Sequence, residues 1–265
     1  MKATCLLSTP ILACLFTGTA LAQIQVLNAT IANGAYGLPE YGSLAAVSCA
    51  GLSGIVGTIQ ATQYPLPTQL AGVSVTVNGT AAPLLAITDM VYTQQITFQM
   101  PVDRTSVVTM PVVVSQFNQS GQSTFDVQPY RSWSFFFPLP PTFPYFGTPD
   151  SAFVQHADYS AVTYDHPAQP GEVVIVYGTN LTSYRAVHSA PPLGSPAPSS
   201  SNVQVLQTNG QESFYTFWVN GQPTEVQYMG LAPGQVGVFQ INFRVPNNTP
   251  DGNAILLAVS VGCST

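Results

Sequence analysis

Gly42-Ser-Leu-Ala-Ala-Val-Ser-Cys-Ala-Gly-Leu52 lies over Gly171-Glu-Val-Val-Ile-Val-Tyr-Gly-Thr-Asn-Leu181, glycine to leucine, at a shift of 129 residues. Further along, Val77-Asn78-Gly79 lies over Val219-Asn220-Gly221 at a shift of 142, and Gln95-Ile-Thr-Phe-Gln-Met-Pro101 over Gln240-Ile-Asn-Phe-Arg-Val-Pro246 at 145. The chain is therefore an internal repeat. The growing shift places about thirteen extra residues in the Pro/Ser-rich stretch Ser189–Asn202 of repeat 2 and three more near Leu231–Gly237. Inside the matched segments apolar and polar residues alternate: Val73, Val75 and Val77 with Ser74, Thr76 and Asn78; Ile96, Phe98 and Met100 with Gln95, Thr97 and Gln99; Ile241, Phe243 and Val245 with Gln240, Asn242 and Arg244. A period of two is the mark of a half-buried strand.

Each Asn-Gly pair favours the tight turn whose two central residues both take positive φ, so both predict hairpin tips. Pro101 and Pro246 lack the N–H that the next rung of a ladder needs, and end their strands. Twenty-three prolines and twenty-one glycines leave no window of sustained helical periodicity. A repeat of roughly 90–110 residues with short strands and such turns fits a β-sandwich. The expected fold is all-β, two tandem immunoglobulin-like β-sandwiches: residues 23–137, a Pro/aromatic-rich linker at 138–150, and residues 151–265.

Residues 1–22 read as a signal peptide, with Lys2 before an apolar stretch and Ala20-Leu21-Ala22 before Gln23. A lipidation box at Ile11-Leu-Ala-Cys14 is disfavoured by the bulk of Leu12 and the short apolar run before it. No later stretch approaches the roughly 20 apolar residues of a spanning helix, so the expectation is a secreted or cell-surface protein with no membrane span. Without Lys2 the formal charge goes from −6 to −7, and four arginines are the only cations left. Such a surface cannot neutralise a run of phosphates, which excludes nucleic acid as a partner. Charged residues make up only 6 % of the chain, leaving a neutral polar surface; such a surface is common on extracellular β-proteins, and its weak charge repulsion also permits close side-by-side assembly.

Chemistry-bearing residues are few. His156, Asp158, Asp165 and His166 suggest a metal at first sight, but two clusters flanking a turn do not supply three or four converging ligands, so polar decoration is the expected role. No Gly-x-Ser-x-Gly run and no facing pair of carboxylates is apparent, so neither a serine hydrolase nor a glycosidase is indicated. No enzymatic activity, cofactor or metal is expected. The densest feature is aromatic: Tyr130, Trp133, Phe135, Phe136, Phe137, Phe143, Tyr145 and Phe146, interrupted by Pro138, Pro140, Pro141 and Pro144. Two readings stand for it, packing between the repeats and a binding surface formed by Tyr130, Trp133, Phe135, Phe137 and Tyr145. Asn28, Asn78, Asn118, Asn180 and Asn247 lie in Asn-x-Ser/Thr sequons, as chance predicts in so polar a chain. Export to an oxidising compartment makes a Cys49–Cys263 disulfide the leading reading, against two separate buried thiols or intermolecular pairing. The Ser189–Asn202 insertion is expected to be a solvated spacer.

Longer motifs carry a resemblance. His156-Ala-Asp158 leading into His166-Pro-Ala-Gln-Pro-Gly-Glu-Val-Val174, Tyr177-Gly-Thr-Asn-Leu181, and Tyr228-Met-Gly-Leu-Ala-Pro-Gly-Gln-Val-Gly-Val-Phe-Gln-Ile-Asn-Phe-Arg-Val-Pro246 resemble the Solibacter uncharacterised C-terminal domain family. Its secreted bacterial members carry paired IPT/TIG-like immunoglobulin-fold modules. Val26-Leu-Asn-Ala29 and Gly72–Leu85 extend the likeness into repeat 1, while Ser48-Cys-Ala-Gly51 departs from the family's phenylalanine-glycine-threonine-asparagine. The resemblance implies a fold and an extracellular location, and no activity. The expected function is that of a secreted structural or adhesive protein touching extracellular matrix, a cell-envelope component or copies of itself. The alternative is a carbohydrate-binding module that meets polysaccharide through the aromatic segment.

Overall fold

The computed structural model describes residues 23–32, 34–103, 109–127, 152–199, 213–252 and 257–263. The first half holds β1 (Gln25–Ile31), β2 (Leu44–Ala50), β3 (Thr58–Gln60), β4 (Val73–Val77), β5 (Thr80–Ala81), β6 (Leu84–Asp89), β7 (Gln94–Gln99), β8 (Thr109–Gln116) and β9 (Gln119–Asp126). They form two antiparallel sheets, β1-β2-β7-β6-β3 and β5-β4-β8-β9. The second half holds β10 (Val154–His156), β11 (Val173–Gly178), β12 (Ser213–Val219), β13 (Gln222–Pro223), β14 (Val226–Leu231), β15 (Phe239–Arg244) and β16 (Leu257–Cys263). Its sheets are β10-β11-β15-β14 and β13-β12-β16. The order β1-β2-β7-β6 returns as β10-β11-β15-β14, and β5-β4-β8 returns as β13-β12-β16. The protein is all-β, its sheets are arranged as β-sandwiches, and the strand order is compatible with the immunoglobulin-like type.

The alternation read from the sequence decides which face each strand buries. Val73, Val75 and Val77 are fully buried, and Ile96, Phe98, Val112, Val114 and Phe125 join them in one core between the first pair of sheets. Phe239, Ile241 and Phe243 of β15 meet Phe217 and Val219 of β12 in a second core, where the Phe217 and Phe243 rings lie 4.4 Å apart. Burying side chains of this size contributes roughly 1.5–3 kcal/mol each. Both Asn-Gly tips turn as expected: φ is 47° and 77° at Asn78-Gly79, and 49° and 75° at Asn220-Gly221.

The turn before the second strand is also copied. The Gly42 N–H donates to the Met100 carbonyl at 3.0 Å and the Gly171 N–H to the Val245 carbonyl at 2.8 Å. The only helical element among the described residues is a 3₁₀ turn at Tyr184–Ala186, and no described helix is long and apolar enough to cross a membrane.

Candidate functional site

The end of β11 is where the two halves meet. Asn180 takes the left-handed conformation, φ 66°, which asparagine tolerates better than most residues. This aims both its backbone and its amide at repeat 1: its N–H donates to Ser43 Oγ at 3.2 Å, and its Oδ1 accepts the Glu40 N–H at 2.7 Å. Thr179 Oγ1 accepts the Leu44 N–H at 2.9 Å and donates to the Gly237 carbonyl at 2.9 Å. Tyr184 donates its N–H to the Tyr41 carbonyl at 2.9 Å, while its hydroxyl accepts the Gly237 N–H at 2.9 Å. Gln99 Nε2 donates to the Gly42 carbonyl at 2.7 Å, and its Oε1 accepts the Gly194 N–H at 2.6 Å. At the rim Arg185 pairs with Asp103 and covers the Tyr41 ring.

Glu40, Ser43, Gln99, Thr179 and Asn180 are all buried in this joint. Hydrogen bonds have direction, so a buried network of them selects one relative orientation of the halves where an apolar contact would tolerate sliding. The Ser189–Asn202 insertion needs correction here. Gly194 is buried, and its carbonyl accepts the Leu66 N–H at 2.7 Å. Ala197 is buried in the second core and bonded to Gln235. The described part of the insertion, through residue 199, is a strap across the joint rather than a solvated spacer, because its glycine and alanine are small enough to let backbone touch backbone.

The histidine cluster also differs from surface decoration. His156 is only 6 % exposed; its Nδ1 lies 2.6 Å from Glu172 Oε1, its Nε2 lies 3.2 Å from the His166 carbonyl, and its ring stacks on that of His166 at 4.1 Å. Both ring nitrogens face acceptors, an arrangement only the imidazolium satisfies by donating twice. Burial pushes the His156 pKa down, but the hydrogen bonds to Glu172 and His166 and the charges of Glu172 and Asp158 outweigh it and leave it raised. For Glu172 burial acts upward, and the Gln169 N–H together with His156 and His166 outweighs it to leave the carboxyl lowered. No group of three or more metal-ligating side chains occurs among the described residues.

The signs define a window. A raised histidine contributes fully below its ordinary 6.5 and loses that contribution as pH rises through its folded value. A lowered glutamate contributes fully above its ordinary 4.5 and loses it as pH falls through its folded value. The thermal midpoint is expected to peak near pH 5–6, between the two ordinary values, and to fall as the pH rises toward 8. In Glu172→Gln that alkaline decline should flatten; an unchanged profile in the variant would show that the pair does not set it.

Cys49 is a free thiol with no exposure, enclosed in the first core, and burial pushes its pKa up to about 11. Cys263 pairs through its backbone with Ser213 in the sheet of β12 and β16, and its side chain lies outside the described residues. Iodoacetamide should leave Cys49 untouched in the native protein and label it once the chain is unfolded without reductant. Resistance after unfolding, with a Cys49–Cys263 peptide pair in a non-reducing digest, would establish the expected clasp instead.

Tyr130, Trp133, Phe135, Phe137 and Tyr145 lie outside the described residues. A different aromatic site does lie within them, on the outer face of the β10-β11-β15-β14 sheet. A cleft of about 600 Å³ is lined by Phe153, Gln155, Tyr159, Tyr177, Gln235 and Gln240, with Ala232, Pro233 and Val238 along one wall. Phe153 and Tyr177 stack with ring centroids 6.3 Å apart. Tyr177 and Gln240 are direct cross-strand partners. No family model matches the chain, and no curated protein matches it.

Proposed function

We propose that the protein is exported and acts outside the cell as a non-enzymatic structural or adhesive protein, through surface contacts with extracellular matrix, a cell-envelope component or copies of itself. The observation that carries this reading is the joint. Bonds of Ser43 and Glu40 to Asn180, of Leu44 to Thr179, of Gln99 to Gly194 and of Tyr41 to Tyr184 lock the two halves in one orientation, as a load-transmitting spacer needs and a hinged catalytic cleft does not. Two features support it. The chain has only five basic and eleven acidic residues, so repulsion between neighbouring copies is weak. Several apolar side chains stand in solvent, among them Val56 at 83 %, Val91 at 81 % and Tyr92 at 90 % exposure, and these suit contact with another surface.

The reading is tested on secreted protein by sedimentation velocity over a hundredfold range of concentration, together with co-sedimentation on washed cell envelopes and matrix. Concentration-dependent growth in mass, or saturable envelope or matrix binding, is the expected result. A monomer at every concentration that binds neither material would overturn it.

A further inference from the structure

We propose that the cleft on the outer face of the β10-β11-β15-β14 sheet is a binding site for a neutral polysaccharide, held by stacking on Tyr159 and Tyr177 and by hydrogen bonds to the side-chain amides of Gln155, Gln235 and Gln240. This goes beyond the structural role and does not depend on whether the protein self-associates. It also places recognition on residues other than the Tyr130–Phe146 segment.

The composition of the cleft selects the ligand. None of its nine lining residues carries a charge, so nothing there repays the desolvation of a phosphate, a carboxylate or an amine. A pyranose has an apolar C–H face and a rim of hydroxyls that both donate and accept. Aromatic rings suit the face, and carboxamides, which offer donor and acceptor on one planar group, suit the rim. The volume, about 600 Å³, falls within the roughly 300–1,000 Å³ usual for small-molecule sites.

Two details show that the aromatics are placed rather than left over. Tyr159 has φ 67° and is 66 % exposed, an unfavourable backbone spent on a ring that packs into no core. The conformation is held from several sides: the Tyr159 N–H donates to the His156 carbonyl at 3.0 Å, Gln155 Nε2 donates to the Tyr159 carbonyl at 2.7 Å, and Asp158 Oδ1 accepts from the Ser160 N–H at 2.9 Å. Secondly, the fold does not require a tyrosine on β11. Tyr177 aligns with Ser48 of β2 while Gln240 aligns with Gln95, so repeat 1 keeps the amide and lacks the ring.

Affinity electrophoresis and pull-down on insoluble cellulose, chitin, β-1,3-glucan and starch test the proposal with the intact exported protein. Tyr177→Ser copies the repeat 1 residue, and Tyr159→Asn retains a side chain that tolerates positive φ. Wild type should be retarded by at least one of the four polymers, and each variant should weaken that retention about tenfold or more with an unchanged thermal midpoint. Retention by none of the four overturns the proposal, as does retention that both variants preserve. Should a variant melt early, nitration of wild type with tetranitromethane reads the same point: the bound polymer should protect Tyr159 and Tyr177, and equal labelling with and without it overturns the site.

Discussion

Replacing Gly42 with valine is expected to destabilise the protein by about 3 kcal/mol or more and to split its single melt into two. Gly42 sits at φ 85°, and a Cβ built on it falls 2.2 Å from Cγ and Cδ1 and 2.8 Å from Cβ of Tyr184. These atoms include the root of the side chain, which no rotamer change moves aside. Two costs therefore add, the left-handed backbone and the overlap. Gly79→Ala separates them: Gly79 has φ 77° with nothing within 4 Å of its Cβ position, so it carries the backbone cost alone, on the order of 1 kcal/mol. The split melt follows because each half has its own core, while the substitution breaks the close Gly42–Tyr184 contact that couples them, besides straining the Gly42 turn of the first half. Differential scanning calorimetry reads both effects. One sharp transition in Gly42→Val, shifted no more than in Gly79→Ala, would mean that the halves are not coupled through this contact.

Tyr184→Ala is expected to cost about 3–5 kcal/mol, the range for deleting a large buried aromatic. Its ring is 3 % exposed and meets Tyr41 and Phe239 edge-on, each with centroids 6.3 Å away. Tyr184→Phe keeps that packing and removes only the hydroxyl, leaving the Gly237 N–H without its acceptor, for a loss of roughly 1–3 kcal/mol. Relief by a second substitution is unavailable at Gly237, where φ is 69° and a Cβ would fall 2.7 Å from Leu44. Urea titrations of the two variants measure the difference between them. If Tyr184→Phe loses as much as Tyr184→Ala, the hydrogen bond to Gly237 and not the ring packing is what Tyr184 contributes.

The sandwich framework was legible because it depends on short-range pattern. Val73–Val77 and Ile241–Val245 alternate with a period of two, and Asn78-Gly79 and Asn220-Gly221 demand a turn that little else can make. The joint was less legible because its parts are brought together by the fold: Thr179 and Asn180 bond to residues 43, 44 and 40, more than 130 positions earlier. A signal did exist. Thr179-Asn180 stands where repeat 1 has Ala50-Gly51, and a polar pair present in one copy alone points to a contact that the other copy lacks. The burial of His156 was illegible for a similar reason. Its partner Glu172 lies sixteen residues away across a proline-rich turn, and only the pairing of β10 with β11 brings them together. The Tyr177 cleft was not legible because its residues are single positions far apart in the chain, Gln155, Tyr159, Tyr177, Gln235 and Gln240, which only strand pairing and the Tyr159 turn bring to one face.

The copied turn has a consequence for how many units can be joined in this way. Within the alignment, Ser43, which receives the Asn180 N–H, corresponds to Glu172, while Thr179 and Asn180 correspond to Ala50 and Gly51. The plug is therefore incomplete at the outer end of repeat 1, where alanine and glycine offer neither a side-chain hydroxyl nor a side-chain amide. The socket is likewise altered at the far end of repeat 2, where Glu172 is already engaged by His156. Each end of the pair therefore lacks one half of this side-chain contact, and a further copy joined at either end would have to be held by other contacts.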